Sequence, residues 1–351
     1  MDISSKKLTL LLPLFGRKEF TDRIFSFLSN IDSPAHLIIG DGKKNEYSSD
    51  RLHILDSSNN LTYEYLQFDD SSFQEYFKKL HQMSLAVKTE FCMLIDNDDF
   101  PLITGIIRCI DFLESHPEYA AAKGTIMGLN LKDSLPNGKF QSLKRLYSSN
   151  FSIELRDLDL NKRLLSAAEK LPAEFYNVTY PHIFQTIFQE VIDLGIKDLN
   201  IFEHYMIFRM HTFGKIKLIS TPYYIRQFGT SSSAASLSPI HTRILSPEFN
   251  NDVTKVIKIL SKAVQSPSFI DQFRSSYMRG LIAMTKVDLK LISKTELTDI
   301  KLLAKRLLSL LLKAWESLFF LAPQWLRIVY FIHIKKLLSA KEFYRINSHI
   351  K

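Results

Sequence analysis

The sequence predicts an α/β protein with a mostly parallel, Rossmann-like sheet flanked by helices and a C-terminal helical extension. Strand-like and helix-like apolar patterns alternate through the first hundred residues, as in βαβ units. From Asn250 to the C-terminus the pattern is helical. The 351 residues are 46% hydrophobic and 23% charged, which excludes a disordered or collagen-like chain and a polytopic membrane protein.

Each element of the first half follows from apolar spacing. Strand character is found in Leu8–Leu14, His36–Ile39, Thr62–Phe68 and Phe91–Ile95. Helical spacing covers Phe20–Leu28, Ser71–Val87 and Leu102–Leu113. In an open parallel sheet, ligands bind beyond the carboxyl ends of the strands, so the loops after these strands are the candidate binding loops.

The second half is less regular. Its spacing predicts helices over Leu155–Leu171, His182–Leu194 and Ile201–Thr212, then a strand from Ile216 to Ser220 that continues into Tyr223–Arg226. Residues 229–240 are small and polar, which predicts a mobile loop. The division expected from these patterns is a domain of residues 1–245 and a basic amphipathic helical region of residues 246–351.

The net charge of +8 lies entirely at the C-terminus, because residues 286–351 carry thirteen Lys or Arg against five Asp or Glu. Residues 300–322 place a largely cationic polar stripe opposite Leu, Phe and Trp. This pattern predicts an interfacial anchor on anionic lipid. The alternative is that the apolar faces pack on one another or on a second subunit in a homo-oligomer. A nucleic-acid partner is not expected, because these helices show no recognisable binding module.

Because neither a signal peptide nor a membrane-spanning run is recognised, the protein is expected in the cytoplasm, where its basic C-terminal region would hold it on the inner face of the cell membrane. The apolar run after Lys6-Lys7 is short, contains Pro13 and lacks a small-residue cleavage site, so it is interpreted as a strand. No window has about 18 uninterrupted apolar residues. Cys92 and Cys109 both lie in apolar surroundings and are expected to be buried free thiols.

The stretch Asp96-Asn97-Asp98-Asp99 is the most informative for function. Carboxylates placed together at the mouth of a buried strand repel one another unless a cation or strong donors compensate them. Mg²⁺ or Mn²⁺ suits such oxygen ligands together with phosphate oxygens. The alternative is a solvated acidic turn that caps the following helix.

Two other loops are expected at the same crevice. Phe15 and Arg17 follow the first strand, and Asp41 follows the second. An aromatic face can support a nucleobase, a carboxylate can accept from a base N–H, and a guanidinium can bind phosphate. Each also has an ordinary structural interpretation, as a core residue, a solvated charge and a turn former.

Together these segments resemble the GT-A-fold glycosyltransferases of the family-2 type, which transfer sugars from nucleotide-diphosphate donors. Residues 13–17, Pro-Leu-Phe-Gly-Arg, stand in the place of that family's Pro-Thr-Tyr-Asn-Arg. Residues 39–42, Ile-Gly-Asp-Gly, stand for its Val-Asp-Asp-Gly, and residues 95–99, Ile-Asp-Asn-Asp-Asp, for its Leu-Asp-x-Asp-Asp. The resemblance covers residues 8–228 and is most specific in the first hundred.

The resemblance implies a nucleotide-binding half at residues 1–125 and an acceptor half at 126–245. It implies that Asp98 and Asp99 hold Mg²⁺ or Mn²⁺. In Phe202–Arg209, Arg209 lies six residues after Glu203, as in the family's Glu-Asp-Tyr-x-Leu-x-x-Arg, so Glu203 rather than His204 takes the place of the general base. The implied donor-binding residues are Pro13, Leu14, Phe15, Arg17, Asp41, Lys79, Asp96 and Arg226.

The activity implied is an inverting transfer to a hydroxyl of a glycan or lipid-linked acceptor, in bacterial surface polysaccharide synthesis. The sequence departs from the family in two places. Lys78–Gln82 replaces an Ala-Arg-Asn-x-Gly segment and keeps only the charge of Lys79, and Phe228 stands where a metal-assisting His often lies. The alternatives are a sugar nucleotidyltransferase, which normally needs a more Gly-rich loop after the first strand, and a non-catalytic membrane-surface binding protein.

Overall fold

A computed structural model describes residues 7–31, 34–42, 51–132, 136, 138–145, 153–230, 243–244, 246–264 and 266–292. The strands are β1 (Leu8–Leu14), β2 (Ala35–Asp41), β3 (Leu61–Gln67), β4 (Phe91–Leu94), β5 (Phe100–Pro101), β6 (Tyr119–Leu131), β7 (Phe140–Arg145), β8 (Val178–Thr179) and β9 (Lys215–Gln227). The helices are α1 (Lys18–Leu28), α2 (His53–Asp56), α3 (Phe73–Leu85), α4 (Ile103–Ser115), α5 (Leu160–Lys170), α6 (Pro181–Leu194), α7 (Leu199–Phe213), α8 (Pro247–Ala263) and α9 (Phe269–Ile292).

Strands β1 to β4 form the parallel half of a single sheet. The sheet runs in the order β3-β2-β1-β4-β8-β6-β9-β5, and β7 pairs with β6. Strands β3, β2, β1 and β4 are all mutually parallel, as the alternating pattern predicts. Their carboxyl ends therefore meet at one edge, which brings the predicted binding loops together.

The other half of the sheet is mixed, and here the sequence patterns were least informative. Strand β6 runs for 13 residues and pairs in parallel with β9, yet no strand was predicted there. Its first six residues, Tyr-Ala-Ala-Ala-Lys-Gly, include none of the β-branched residues that mark a strand. The helix predicted from Leu155 begins instead at Leu160, because the Asp159 side chain accepts from the Lys162 N–H and caps it there.

Successive side chains of β1 point to opposite faces of the sheet. Leu10 and Leu12 pack with α1 and α4, whereas Leu11 packs with α3 on the opposite face. Helices α8 and α9 pack on α7 and α5 and extend the second of these layers. The division at residue 245 stays a prediction, and nearly all of residues 286–351 lie outside the described residues. None of the described helices combines the length and the apolar character needed to cross a bilayer.

Candidate functional site

The three acidic side chains predicted as a site converge just after β4. One carboxylate oxygen from each of Asp96, Asp98 and Asp99 can be chosen so that all three lie within 4.8 Å of one another. Asp98 and Asp99 are buried, and Asp96 is partly exposed. The cluster is therefore largely sheltered from water, which disfavours the alternative of a freely solvated acidic turn.

Each carboxylate has a defined partner. Asp98 Oδ2 accepts hydrogen bonds from Arg17 Nη2, at 2.8 Å, and from the Thr230 hydroxyl. Asp99 Oδ1 accepts from the backbone N–H of Gln227 at 2.9 Å. Asp96 Oδ2 accepts from the Tyr176 hydroxyl. The three acids thus join the loop after β1, the end of β9 and the segment before β8.

Burial and mutual repulsion make the cluster favourable for a cation. Burial is the largest cause that raises the pKa of Asp96, and the charge of Asp98 adds to it. The pKa of Asp99 is raised well above its ordinary value by burial, then by Asp96 and Asp98. Hard oxygen ligands of this kind fit Mg²⁺ or Mn²⁺, because the added positive charge offsets both effects.

Glu203 lies on α7 within electrostatic reach of this cluster. Burial raises its pKa to about 7, Arg226 opposes that rise, and the charge of Asp96 adds to it. Arg209, six residues later, does not pair with Glu203. It donates from Nε and Nη2 to Glu190, at 2.8 Å each.

His204, the neighbour of Glu203, faces the protein interior. Its Nδ1 lies 2.6 Å from the Tyr277 hydroxyl on α9. Burial lowers the pKa of His204 to about 4, so the imidazole is neutral near pH 7. Of the two adjacent residues, Glu203 is the one whose pKa is raised by the charge of Asp96. Its assignment as the general base stays a prediction.

The loop after β1 turns sharply through two left-handed residues. Gly16 has φ 65° and Arg17 has φ 59°. This conformation is uncommon for a residue with a Cβ and clusters at functional sites. Arg17 also lies over the Phe20 ring, with its guanidinium carbon 4.4 Å from the centroid. The side chain is therefore held over the acidic turn.

Pro13, Leu14 and Phe15 lie at the end of β1 and beyond it. Pro13 is half-buried, Leu14 is buried and Phe15 is 51% exposed. Phe15 is thus an exposed aromatic ring at the carboxyl edge of the sheet, where the resemblance implies a nucleobase contact.

Asp41 is buried at the end of β2 and accepts a hydrogen bond of 2.8 Å at Oδ2 from the Tyr65 hydroxyl on β3. Burial and this bond place the pKa of Tyr65 above its ordinary value, so the phenol stays a donor. The parallel register sets Tyr65 opposite Ile39, two residues before Asp41. Tyr65 was missed from the sequence because apolar patterns do not give strand register.

Lys79 occupies a different environment from that expected of a donor-binding residue. It is 1% exposed, and its ammonium donates to the Leu14 carbonyl at 3.0 Å and forms an ion pair with Asp70. Burial lowers the pKa of Lys79 and raises the pKa of Asp70, and the charge of each partner opposes the shift. Lys79 therefore links α3 to the end of β1 and to Asp70.

Arg226, near the end of β9, lies beside aromatic residues that the sequence did not single out. Its guanidinium carbon is 5.9 Å from the Tyr176 ring centroid. The Tyr176 ring stacks on that of Tyr224, with centroids 4.4 Å apart. No local motif marks residues 172–179, so a strand-by-strand pattern could not have identified Tyr176.

Arg23 on α1 is a further residue that the sequence analysis missed. It donates to the Asp98 carbonyl at 2.7 Å and to Gln227 Oε1 at 2.6 Å. The Gln227 N–H in turn binds Asp99. Arg23 thus links α1 to the acidic turn and to the end of β9. Of the small and polar segment 229–240, which is predicted to be a mobile loop, residues 231–240 lie outside the described residues.

The strand order and helix layers define the class of fold: the chain has the GT-A glycosyltransferase fold. Among solved structures, the chain is similar to that of TarS of S. aureus, a glycosyltransferase. The match has a TM-score of 0.55 and 13% sequence identity, and covers 84% of this chain. It spans only 46% of that TarS chain.

Two shorter TarS structures are similar to the same extent. The one in complex with UDP has a TM-score of 0.53 at 13% identity, over 78% of this chain and 70% of that one. The complex with UDP-GlcNAc has a TM-score of 0.52 at 12% identity, over 83% and 76% of the two chains. No protein-family model and no curated protein sequence matches the chain. The likeness therefore rests on structure and establishes the fold.

Proposed function

We propose that the protein is an inverting glycosyltransferase that moves a sugar from a nucleotide-diphosphate-sugar to a hydroxyl of a glycan or lipid-linked acceptor. The observation that carries the proposal is the convergence of Asp96, Asp98 and Asp99 within 4.8 Å at the carboxyl edge of the parallel strands. Glu203 and Arg226 share the same electrostatic environment. TarS binds UDP and UDP-GlcNAc on the same fold, which supports a nucleotide-sugar donor.

Donor binding is assigned to the loops at that edge. Phe15 offers an exposed ring and Asp41 a buried carboxylate for a nucleobase. Arg17 and Arg226 supply positive charge for a diphosphate, and Pro13 and Leu14 shape the loop that carries Arg17. Lys79 acts on the donor indirectly, because both of its hydrogen-bond partners belong to the protein.

Asp98 and Asp99 are proposed to hold Mg²⁺ or Mn²⁺, with Asp96 beside them. The bound ion would supply positive charge to the diphosphate as the nucleotide leaves. The protein's own contribution is to hold the carboxylates together: Arg17 fixes the side chain of Asp98, and the Gln227 amide fixes that of Asp99.

Glu203 is proposed as the general base. A carboxylate with a pKa of about 7 is poised to accept a proton from the acceptor hydroxyl near neutral pH. The hydroxyl oxygen then attacks the anomeric carbon on the face opposite the departing nucleotide, which inverts the configuration. Assembly of a bacterial surface polysaccharide stays a prediction from the sequence.

The test is turnover of a panel of nucleotide sugars with Mn²⁺, beginning with UDP-sugars, in the wild type, Asp98→Ala and Glu203→Ala. Loss of turnover in both variants, with unchanged circular dichroism, supports the proposal. Formation of a nucleotide sugar from a sugar phosphate would identify a nucleotidyltransferase. Absence of any turnover or nucleotide binding would leave the non-catalytic alternative.

The C-terminal region is proposed to hold the protein at an anionic membrane surface. The support is the excess charge of residues 286–351 and their amphipathic spacing. Flotation with vesicles of phosphatidylglycerol, compared with phosphatidylcholine and with a chain lacking residues 286–351, tests it. Equal flotation of both chains would remove the anchor, and concentration-dependent self-association would favour a subunit interface.

A further inference from the structure

The hydroxyl groups of Tyr176 and Tyr224 each form a hydrogen bond with Asp96. The Tyr176 hydroxyl donates to the Asp96 carboxylate, and the Tyr224 hydroxyl accepts from the Asp96 backbone N–H at 3.0 Å. The two rings stack with 21° between their planes, so the hydroxyls are held as a pair. One residue of the acidic cluster is thus fixed through both its main chain and its side chain.

The segment that carries Tyr176 is itself anchored in the protein interior. Glu174 accepts from Lys123 Nζ at 2.9 Å, in an ion pair that is 1% exposed on each side. Asn177 donates to Glu174 at 2.7 Å, and the Thr179 hydroxyl donates to the Ala120 carbonyl at 2.8 Å. Residues on both sides of Tyr176 are therefore tied to β6, which leaves its phenol little freedom to move away from Asp96.

We propose that Tyr176 is a positioning residue that orients the Asp96 carboxylate toward a bound complex of nucleotide and metal ion. This inference rests on the proposed function. A carboxylate has two acceptor oxygens. The phenol donates to Oδ2, which restrains rotation of the carboxylate and leaves Oδ1 for a ligand. Arg226, whose guanidinium carbon lies 5.9 Å from the Tyr176 ring centroid, also acts electrostatically on Asp96.

The experiment measures binding of UDP and of GDP with saturating Mn²⁺ by calorimetry, and of Mn²⁺ alone. The variants are Tyr176→Phe and, as a matched control, Tyr224→Phe. Both keep the stacked rings and lose one hydroxyl at Asp96, but only Tyr176→Phe loses the bond to the carboxylate. Because a hydrogen bond to a charged group is involved, we expect about tenfold weaker nucleotide–Mn²⁺ binding in Tyr176→Phe and less than about twofold in Tyr224→Phe.

A second comparison uses Asp96→Asn alone and combined with Tyr176→Phe. If Tyr176 acts through Asp96, the added Tyr176→Phe change has no further effect on binding in the Asp96→Asn background. In the wild-type background, Tyr176→Phe should raise KM for the nucleotide sugar about tenfold and leave kcat little changed. Three results would each overturn the positioning role. They are wild-type nucleotide affinity in Tyr176→Phe, an equal loss of affinity in the two tyrosine variants, and an additive loss of affinity in the double variant. If the wild type binds neither nucleotide and turns over no sugar, the proposed function fails as well.

Discussion

Arg17 Nη2 lies 2.8 Å from Asp98 Oδ2, although 81 residues separate them in the chain. The pair forms because β1 and β4 are adjacent parallel strands, so the loops that follow them meet at one edge. Arg17 is 23% exposed at its side chain and Asp98 only 9%. The contact is therefore largely sheltered from water and compensates one of the three clustered carboxylates.

Replacing Asp98 by Asn should abolish stabilisation by Mn²⁺. A ligand that binds only the folded chain stabilises it by about 2.7 kcal/mol at one hundred times its Kd. The shift of the melting temperature with Mn²⁺ measures this effect. Asp111→Asn, on the exposed face of α4, is the matched control and should keep the full shift. An equal shift in Asp98→Asn would contradict the assignment of Asp98 as a metal ligand.

The sequence predicts the parallel half of the fold well because each buried strand there is a short apolar run. Leu8–Leu14 was placed at the bounds that the structure has, and His36–Ile39 lies inside β2. Strand β6 was missed because Ala120, Ala121 and Ala122 carry no strand signal. Its strand conformation depends on pairing with β9, which is nearly a hundred residues away in the chain.

The candidate site likewise contains some residues that the sequence can predict locally and others that only the tertiary fold brings together. Asp96, Asp98 and Asp99 are adjacent in the chain, so their convergence could be predicted locally. Tyr176 reaches Asp96 only through the tertiary fold, and no spacing in the sequence indicates it. The resemblance implies Lys79 at the donor because this residue keeps the charge of the family's Ala-Arg-Asn-x-Gly segment, and that assignment stays a prediction. Its burial against Asp70 depends on where α3 packs, which apolar spacing does not specify.

Glu203→Gln should lower kcat by about 10² to 10⁴ while leaving nucleotide binding intact, because the amide cannot accept the proton. In the wild type, kcat/KM should rise with pH and level off above pH 7, since burial raises the pKa of Glu203 to about 7 and the base must be deprotonated. A pH–rate profile measures this limb. Glu169→Gln, on the partly exposed pair with Arg279, should leave it unchanged. A wild-type profile that is flat from pH 5 to 9 would contradict the assignment of Glu203 as base.

Lys79→Met should lower the free energy of unfolding by about 3–5 kcal/mol, because it leaves the Asp70 carboxylate buried without its ion-pair partner. The adjacent Lys78→Met is the control. Lys78 is 52% exposed and pairs with Glu75 on the surface, so its loss should cost less than about 1 kcal/mol. Urea unfolding compares the two variants.

Adding Asp70→Asn to Lys79→Met should recover part of that loss, since the uncompensated charge is removed. If Lys79→Met were as stable as Lys78→Met, the buried ion pair between Lys79 and Asp70 would not stabilise the fold as expected. A stable Lys79→Met variant with weakened nucleotide binding would instead return Lys79 to direct contact with the donor.

His211 should make the protein less stable in acid. The residue is fully buried, and neither ring nitrogen has a hydrogen-bond partner among the described residues. Burial, then the charges of Arg163 and Lys123, lower its pKa from 6.5 to about 3. Between those values the unfolded chain binds a proton that the folded chain does not, so stability falls as the pH falls. The slope from this group approaches about 1.4 kcal/mol per pH unit.

His211→Leu should therefore keep or improve stability near pH 7 and flatten the loss toward pH 5, where His211 alone accounts for about 2 kcal/mol. Urea unfolding at several pH values measures the slope. His182→Leu, at the exposed start of α6, is the control and should retain the wild-type slope. His204, also buried with a lowered pKa of about 4, leaves a residual slope in His211→Leu. An unchanged slope in His211→Leu would show that His211 is protonated as readily in the folded chain as in the unfolded one.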